Sequence, residues 1–103
     1  MRRFFVAILL ATPVVAMADA GADGAAIFKQ NCAICHGADG KGHTPVGRSL
    51  KLKDLASRDV QKKSNADLRK IISDGKAAMP AFKDKLDEPG LDAVIAFIRS
   101  LKE

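Results

Sequence analysis

Residues 32–36 are Cys32-Ala33-Ile34-Cys35-His36, and this Cys-x-x-Cys-His spacing, the one that attaches c-type haem, decides how the rest of the chain has to fold. Two thiols one helical turn apart can each add to one vinyl group of a porphyrin. The residue that follows, His36, then lies close to the metal, where its imidazole can bind iron as the proximal ligand. Two thioether bonds and one coordinate bond would hold the macrocycle in a single orientation.

Three other uses of the thiols fit less well. A closed zinc site needs two more Cys or His ligands, and only His43 is left over. A thioredoxin-like redox pair belongs to a βαβ context that this helical sequence does not offer. A structural disulfide would close a very short loop, where the entropic gain is smallest.

Outward from the motif, the chain has 103 residues, with five Phe and neither Trp nor Tyr, and is expected to form one small domain. It opens with Met1-Arg2-Arg3, an apolar run from Phe4 to Val15, and Ala16-Met17-Ala18. A charged start, a short apolar centre and a small-x-small site predict a secretory signal over residues 1–18, cleaved after 18 or, in a second register, after 20. The run is short for a bilayer span and Pro13 interrupts it, which favours removal over anchoring. The expected mature domain, 19–103, has 85 residues, a size at which side chains alone build a marginal core. A buried macrocycle would supply the missing apolar surface.

Losing Arg2 and Arg3 with the signal lowers the formal charge from +5 to +3. Between Arg48 and Lys70 eight basic residues stand against three acids, Asp54, Asp59 and Asp67. This segment is either a solvated face or a patch that steers docking onto an acidic redox partner. Nucleic acid is not an expected partner, because no recognition motif or interleaved aromatics accompany the charge and the chain carries an export signal.

The mature chain is expected to enter a first helix near Ala22 or Asp23, with Asp23 as N-cap, and to run through Phe28 into the haem motif. Gly24 and Phe28 lie one turn apart, placing a smooth spot beside a large ring. After His36, residues 37–47 are dense in glycine and proline and predict a loop, with the Pro45 carbonyl or a neighbour accepting the other His36 ring N–H. His43 falls in that loop as an ordinary histidine in preference to a second axial ligand. A short helix is expected near Asp54 to Ser57. Ser64 and Asp67 then form a capping box, Leu68, Ile71 and Ile72 an apolar stripe, and Gly75 a C-cap.

The next stretch, Lys76-Ala77-Ala78-Met79-Pro80-Ala81-Phe82, joins two helices. An arbitrary Met is usually a gap-filler. Met79 instead offers a soft, neutral thioether in a proline-stiffened loop downstream of a haem-binding His, the arrangement of His/Met haem proteins, and it is the expected distal ligand. The last helix opens at Asp87, with Glu88 and Pro89 in its first turn, and Leu91, Val94, Ile95, Phe97, Ile98 and Leu101 form one broad face. The notch at Gly24 and Phe28 is the expected partner of that face.

Taken together, Gly24-Ala25-Ala26-Ile27-Phe28 ahead of Asn31 to His36, then Asp74 to Phe82, then Val94-Ile95-Ala96-Phe97-Ile98, resemble the class I cytochromes c, and within them the short single-haem carriers of bacteria and photosynthetic electron-transport chains. The resemblance spans about Ala22 to Leu101. It implies an all-α fold of four or five short helices wrapped around one covalently bound haem c. It also implies Cys32 and Cys35 as thioether anchors, His36 as proximal ligand and Met79 as distal ligand. Many relatives place a Trp or Tyr near a haem propionate; this chain has neither, and Arg48, Ser49 or a nearby lysine would substitute.

With protein donors on both axial positions no coordination place remains for a substrate, so the expected role is one-electron transfer and not catalysis. The reading is a monomeric periplasmic carrier, or a lumenal one in a photosynthetic setting. It would shuttle electrons between larger redox proteins, whose docking faces are expected to be acidic, without inserting into the membrane. The alternatives are a haem subunit docked permanently in an oxidase or dehydrogenase, and a ligand sensor if Met79 is labile.

Overall fold

A computed structural model describes residues 2–8 and 20–102, with side chains of the first helix from Gly24 onward. Residues 2–8 are exposed and lie outside any helix; the rest of the expected signal segment and the cleavage register after 18 lie outside the described residues, whereas the register after 20 falls at the start of the first helix. The helical elements are α1 Ala20–Asn31, α2 Ala33–His36, α3 Pro45–Ser49, α4 Arg58–Gln61, α5 Asn65–Asp74 and α6 Glu88–Ser100. Among the described residues there is no strand, only an isolated antiparallel bridge between Lys76 and Met79. The fold is all-α. Since α1 and α2 abut at Cys32, they amount to one interrupted helix, and on that count there are five among the described residues.

Short-range side-chain chemistry sets most of these ends. The Ser64 hydroxyl accepts the Asp67 N–H at 3.0 Å to begin α5, and the Asp87 carboxylate accepts the Gly90 N–H at 2.9 Å to begin α6. Gly75, at φ 77°, ends α5 in a conformation that penalises any side chain. At the other end of the chain the helix starts earlier than expected: α1 begins at Ala20, so Asp23 lies inside it and is not its cap.

The core forms where α1 crosses α6. Phe28, 2% exposed, and Val94, 1% exposed, are its most deeply buried large side chains. The Phe28 ring lies 4.8 Å from that of Phe97, centroid to centroid, tilted by 43°. Gly24 makes the crossing this close: a Cβ built on it would overlap the carbonyl oxygen of Ala93. Leu91, Ile95 and Ile98 complete the apolar face of α6, and Leu68 and Ile72 of α5 join the same cluster with Phe82. The expected notch therefore receives the last helix and ties the two ends of the domain together. At the surface Arg69 of α5 pairs with Glu88 at 2.8 Å and with Asp92 of α6.

Two short helices stand where the sequence predicts otherwise. Residues 45–49 form α3 inside the expected loop, with Thr44 as N-cap and Pro45 in the first turn. The helix expected near Asp54 to Ser57 lies a turn later, as α4. Asp54 instead accepts the Ala56 N–H on its side chain at 2.8 Å, and that turn places Ser57 as the residue before α4.

Candidate haem site

Cys32 sits at the break between α1 and α2, with φ −117° and ψ −28°. Its carbonyl still accepts the N–H groups of Cys35 at 3.3 Å and of His36 at 2.9 Å, so the motif keeps one tight helical turn. That turn brings both thiols and the imidazole to the same cleft. The cleft, of about 790 Å³ including its open mouth, is lined by Cys32, Ile34, Cys35 and His36 from one side of the sequence and by Lys76 to Pro80 and Phe82 from the other. Leu50 and Leu52 extend its apolar wall.

Met79 reaches the cleft through a backbone that is fastened at both ends. The Lys76 N–H donates to the Met79 carbonyl at 3.1 Å and the Met79 N–H returns to the Lys76 carbonyl at 2.9 Å, closing a two-residue turn over Ala77 and Ala78. Beyond it, the Phe82 and Lys83 N–H groups donate to the Ile72 and Ser73 carbonyls at the end of α5, at 2.9 and 3.1 Å. Gly75 permits the return, because a Cβ there would stand 2.6 Å from the Met79 carbonyl oxygen. Phe82, buried, anchors the far side of the loop.

Thr44 is the site residue that sequence reasoning missed. Its hydroxyl donates to the Cys35 carbonyl at 2.6 Å and accepts the Gly47 N–H at 2.8 Å, fastening α3 to the Cys-x-x-Cys-His turn. Gly47 allows this contact, since a Cβ on it would meet the Gly42 and Cys35 carbonyl oxygens. The Gly42 N–H donates to the His36 carbonyl at 2.7 Å. The available signal was Thr-Pro itself, an N-cap followed by proline at the first helical position.

His36 is largely buried, and that burial holds its imidazole pKa below the usual value, favouring the neutral ring that ligates metals. Its Nδ1 is buried with no hydrogen-bond partner. The expected bond to the Pro45 carbonyl or a neighbour is therefore absent, and the nearby Cys35 and His36 carbonyls accept Thr44 and Gly42. Burial, and secondarily Cys35, pushes the Cys32 thiol up to about 11. His43 is exposed and does not line the cleft.

The donor set fits a haem better than a bare ion. It comprises two thiols, one imidazole and one thioether on an apolar wall. Among the described residues no group of three or more His, Cys, Asp or Glu is placed to hold a metal by itself.

Comparison with known proteins agrees with this geometry. The family described as "Cytochrome C oxidase, cbb3-type, subunit III" matches residues 19–98. Cytochrome c6 of Bryopsis maxima is 35% identical over 80 residues, covering 73% of this chain and 84% of that protein. Cytochrome c6 of Nostoc sp. is 36% identical over 83 residues, covering 81% of this chain and 72% of its own. The cbb3-type cytochrome c oxidase subunit FixP of Bradyrhizobium sp. is 36% identical over 81 residues, but only 27% of its length is matched. Among solved structures the KustC0563 c-type cytochrome superposes with a TM-score of 0.72 at 31% identity, over 79% of this chain and 99% of that one.

The chain belongs to this cytochrome c family and is a small class I cytochrome c. It is an electron-transport haem protein, and its cofactor is a covalently bound c-type haem with its iron.

Proposed function

We propose that the chain is a one-electron carrier in which Cys32 and Cys35 hold the haem as thioethers while His36 and Met79 ligate its iron. The observation that carries this reading is the convergence of these four side chains on one apolar cleft from two separately fastened segments. The bound haem iron supplies the one-electron couple. Cys32 and Cys35 would hold the haem through thioethers, each thiol contributing its sulfur to one carbon of a vinyl group and its hydrogen to the other, with nothing released. His36 presents a neutral imidazole, because burial disfavours its protonated form. Met79 offers a neutral, soft donor, which favours the reduced state relative to a second histidine. Leu50, Leu52 and Phe82 would face the ring as apolar wall and add to that preference. With His36 and Met79 both holding the iron, no donor place would remain for a substrate, and the chain would act as a carrier and not as an enzyme.

Residues 1–18 serve in this proposal as an export signal cleaved after 18 or 20, and the domain 19–103 works as a monomer in the periplasm. It exchanges electrons with larger redox proteins through brief, salt-sensitive encounters. Among the described residues no helix is long and apolar enough to cross a membrane.

Carbon monoxide tests the ligand set. The ferrous protein is expected to resist it at neutral pH, whereas Met79→Ala binds it rapidly and Met79→His shows a lower midpoint potential without binding it. Rapid binding by the unaltered protein would overturn the carrier reading in favour of a ligand sensor. The match to FixP favours one other reading, a subunit docked permanently in an oxidase. Isolation of the native protein in a stable complex, and not as a free monomer, would decide for it.

A further inference from the structure

A second depression lies between α4 and the end of α6. It is lined by Arg58, Gln61, Lys62, Arg99 and Lys102, none of which lines the haem cleft. Four of the five carry positive charge at neutral pH. How Arg99 is held distinguishes this patch from a scatter of surface lysines. Its Nε donates to Asn65 Oδ1 at 3.0 Å, one terminal nitrogen to the Gln61 carbonyl at 2.9 Å, and the other to the Lys63 carbonyl at 2.5 Å and Asn65 Oδ1 at 2.9 Å.

Every one of those acceptors is an uncharged oxygen. The guanidinium is fixed in place without its charge being cancelled. The ion pairs among the described residues join Lys53 and Lys62 to Asp59, and Arg69 to Glu88 and Asp92; none includes Arg58, Arg99 or Lys102. Gln61 stiffens the floor, donating from its side-chain nitrogen to the Leu55 and Ile98 carbonyls, both at 2.9 Å. Arg99 has committed its donors and acts through its field. Arg58, Lys62 and Lys102, exposed at the rim, have donors to offer. The Lys62 to Asp59 contact is 3.6 Å long between side chains 68% and 59% exposed, weak enough to exchange for a better partner.

We propose that this depression docks an acidic segment of a partner protein, at a surface separate from the haem cleft. A concave site with one prepositioned charge and three adaptable ones suits carboxylate side chains that reach inward. A lipid surface presents its charge on a plane and would engage the rim alone. A partner held here does so without contacting any residue of the cleft lining, so tethering and electron exchange use different parts of the chain.

The test is an NMR titration of the reduced holoprotein with hexaglutamate at low ionic strength. Amide shifts are expected across 58–62 and 99–102. The charge reversal Arg58→Glu/Lys62→Glu/Lys102→Glu is expected to weaken binding by about tenfold, and added salt to weaken it in the unaltered protein. Midpoint potential and thermal midpoint should stay unchanged in that variant, separating this outcome from failure of the ligand assignment. Lys76→Glu, on the cleft, should leave hexaglutamate affinity unchanged. Shifts confined to 76–82, or undiminished binding by the triple variant, would overturn the proposal. Vesicles of phosphatidylglycerol that bind the protein and lose the triple variant, while hexaglutamate produces no shift, would overturn it in favour of a lipid surface.

Discussion

The hydroxyl of Thr44 donates to the carbonyl of Cys35 at 2.6 Å, so a residue eight positions beyond His36 fixes the backbone between the second thiol and that histidine. The same oxygen accepts the Gly47 N–H and begins α3. Thr44→Ala removes both bonds and leaves a half-buried carbonyl without its partner. The expected loss is about 1–3 kcal/mol in denaturation of the holoprotein. Thr44→Ser keeps the oxygen and should recover most of it. Equal losses in the two variants would mean that the hydroxyl contributes nothing and the methyl group everything.

At the crossing of α1 and α6 the two relevant changes act in opposite senses. Phe28→Ala empties a site that is 2% exposed and removes the ring packed 4.8 Å from Phe97, with an expected cost of about 3–5 kcal/mol. Gly24→Ala overfills the crossing, because the added Cβ meets the Ala93 carbonyl, which is main chain and cannot turn aside. An overpacking cost of about 1–3 kcal/mol is expected. Urea titrations measure both, and a Gly24→Ala variant as stable as the parent would show that the helices separate freely.

Elements whose ends depend on neighbours three or four residues away are legible in the sequence. Ser64 with Asp67, Asp87 with Gly90, and Gly75 are such ends, and the broad stripe from Leu91 to Leu101 follows from period alone. The short helices are not legible in this way. Residues 45–49 carry no apolar period, and α3 exists because Thr44 and Gly47 meet the Cys35 backbone. Likewise α4 is held by Gln61, whose amide reaches the Ile98 carbonyl 37 positions away. That Cys32, Cys35, His36 and Met79 line one cleft is foreseeable from motif and loop chemistry. The free Nδ1 of His36 is not, since it depends on which nearby carbonyls other donors have already taken.

Ala77 occupies the first corner of the turn that presents Met79, at φ 53°, a left-handed conformation unusual for a residue with a Cβ. Holding alanine there costs about 1–2 kcal/mol, whereas glycine loses about 0.5–1 kcal/mol of unfolded-state freedom. Ala77→Gly is therefore expected to stabilise the holoprotein by roughly 0.7 kcal/mol, the difference of those central values. Ala77→Val, branched at Cβ, should destabilise it. A loss of stability on Ala77→Gly, measured by thermal or urea unfolding, would show that the turn relaxes away from the left-handed region in solution.

Removing the cofactor tests how far the core stands alone. The contact of α1 with α6 buries Phe28, Val94 and their neighbours without involving the cleft, but Leu50, Leu52, Met79 and Phe82 line it, and Met79 and Phe82 also belong to or pack on the same core. Without the macrocycle the inner wall of the cleft faces water, and a domain of this size has little stability to spare. Haem-free protein, prepared as Cys32→Ala/Cys35→Ala so that no thioether forms, is expected to lose most of its native helicity by far-ultraviolet circular dichroism. It should also show no cooperative thermal transition. The segment from Pro45 to Gln61 should be the first to melt, since its helices are only four and five residues long and are held by single side-chain contacts. Native ellipticity with a sharp transition in that variant would mean that the polypeptide core suffices, and that haem is bound by a preformed fold.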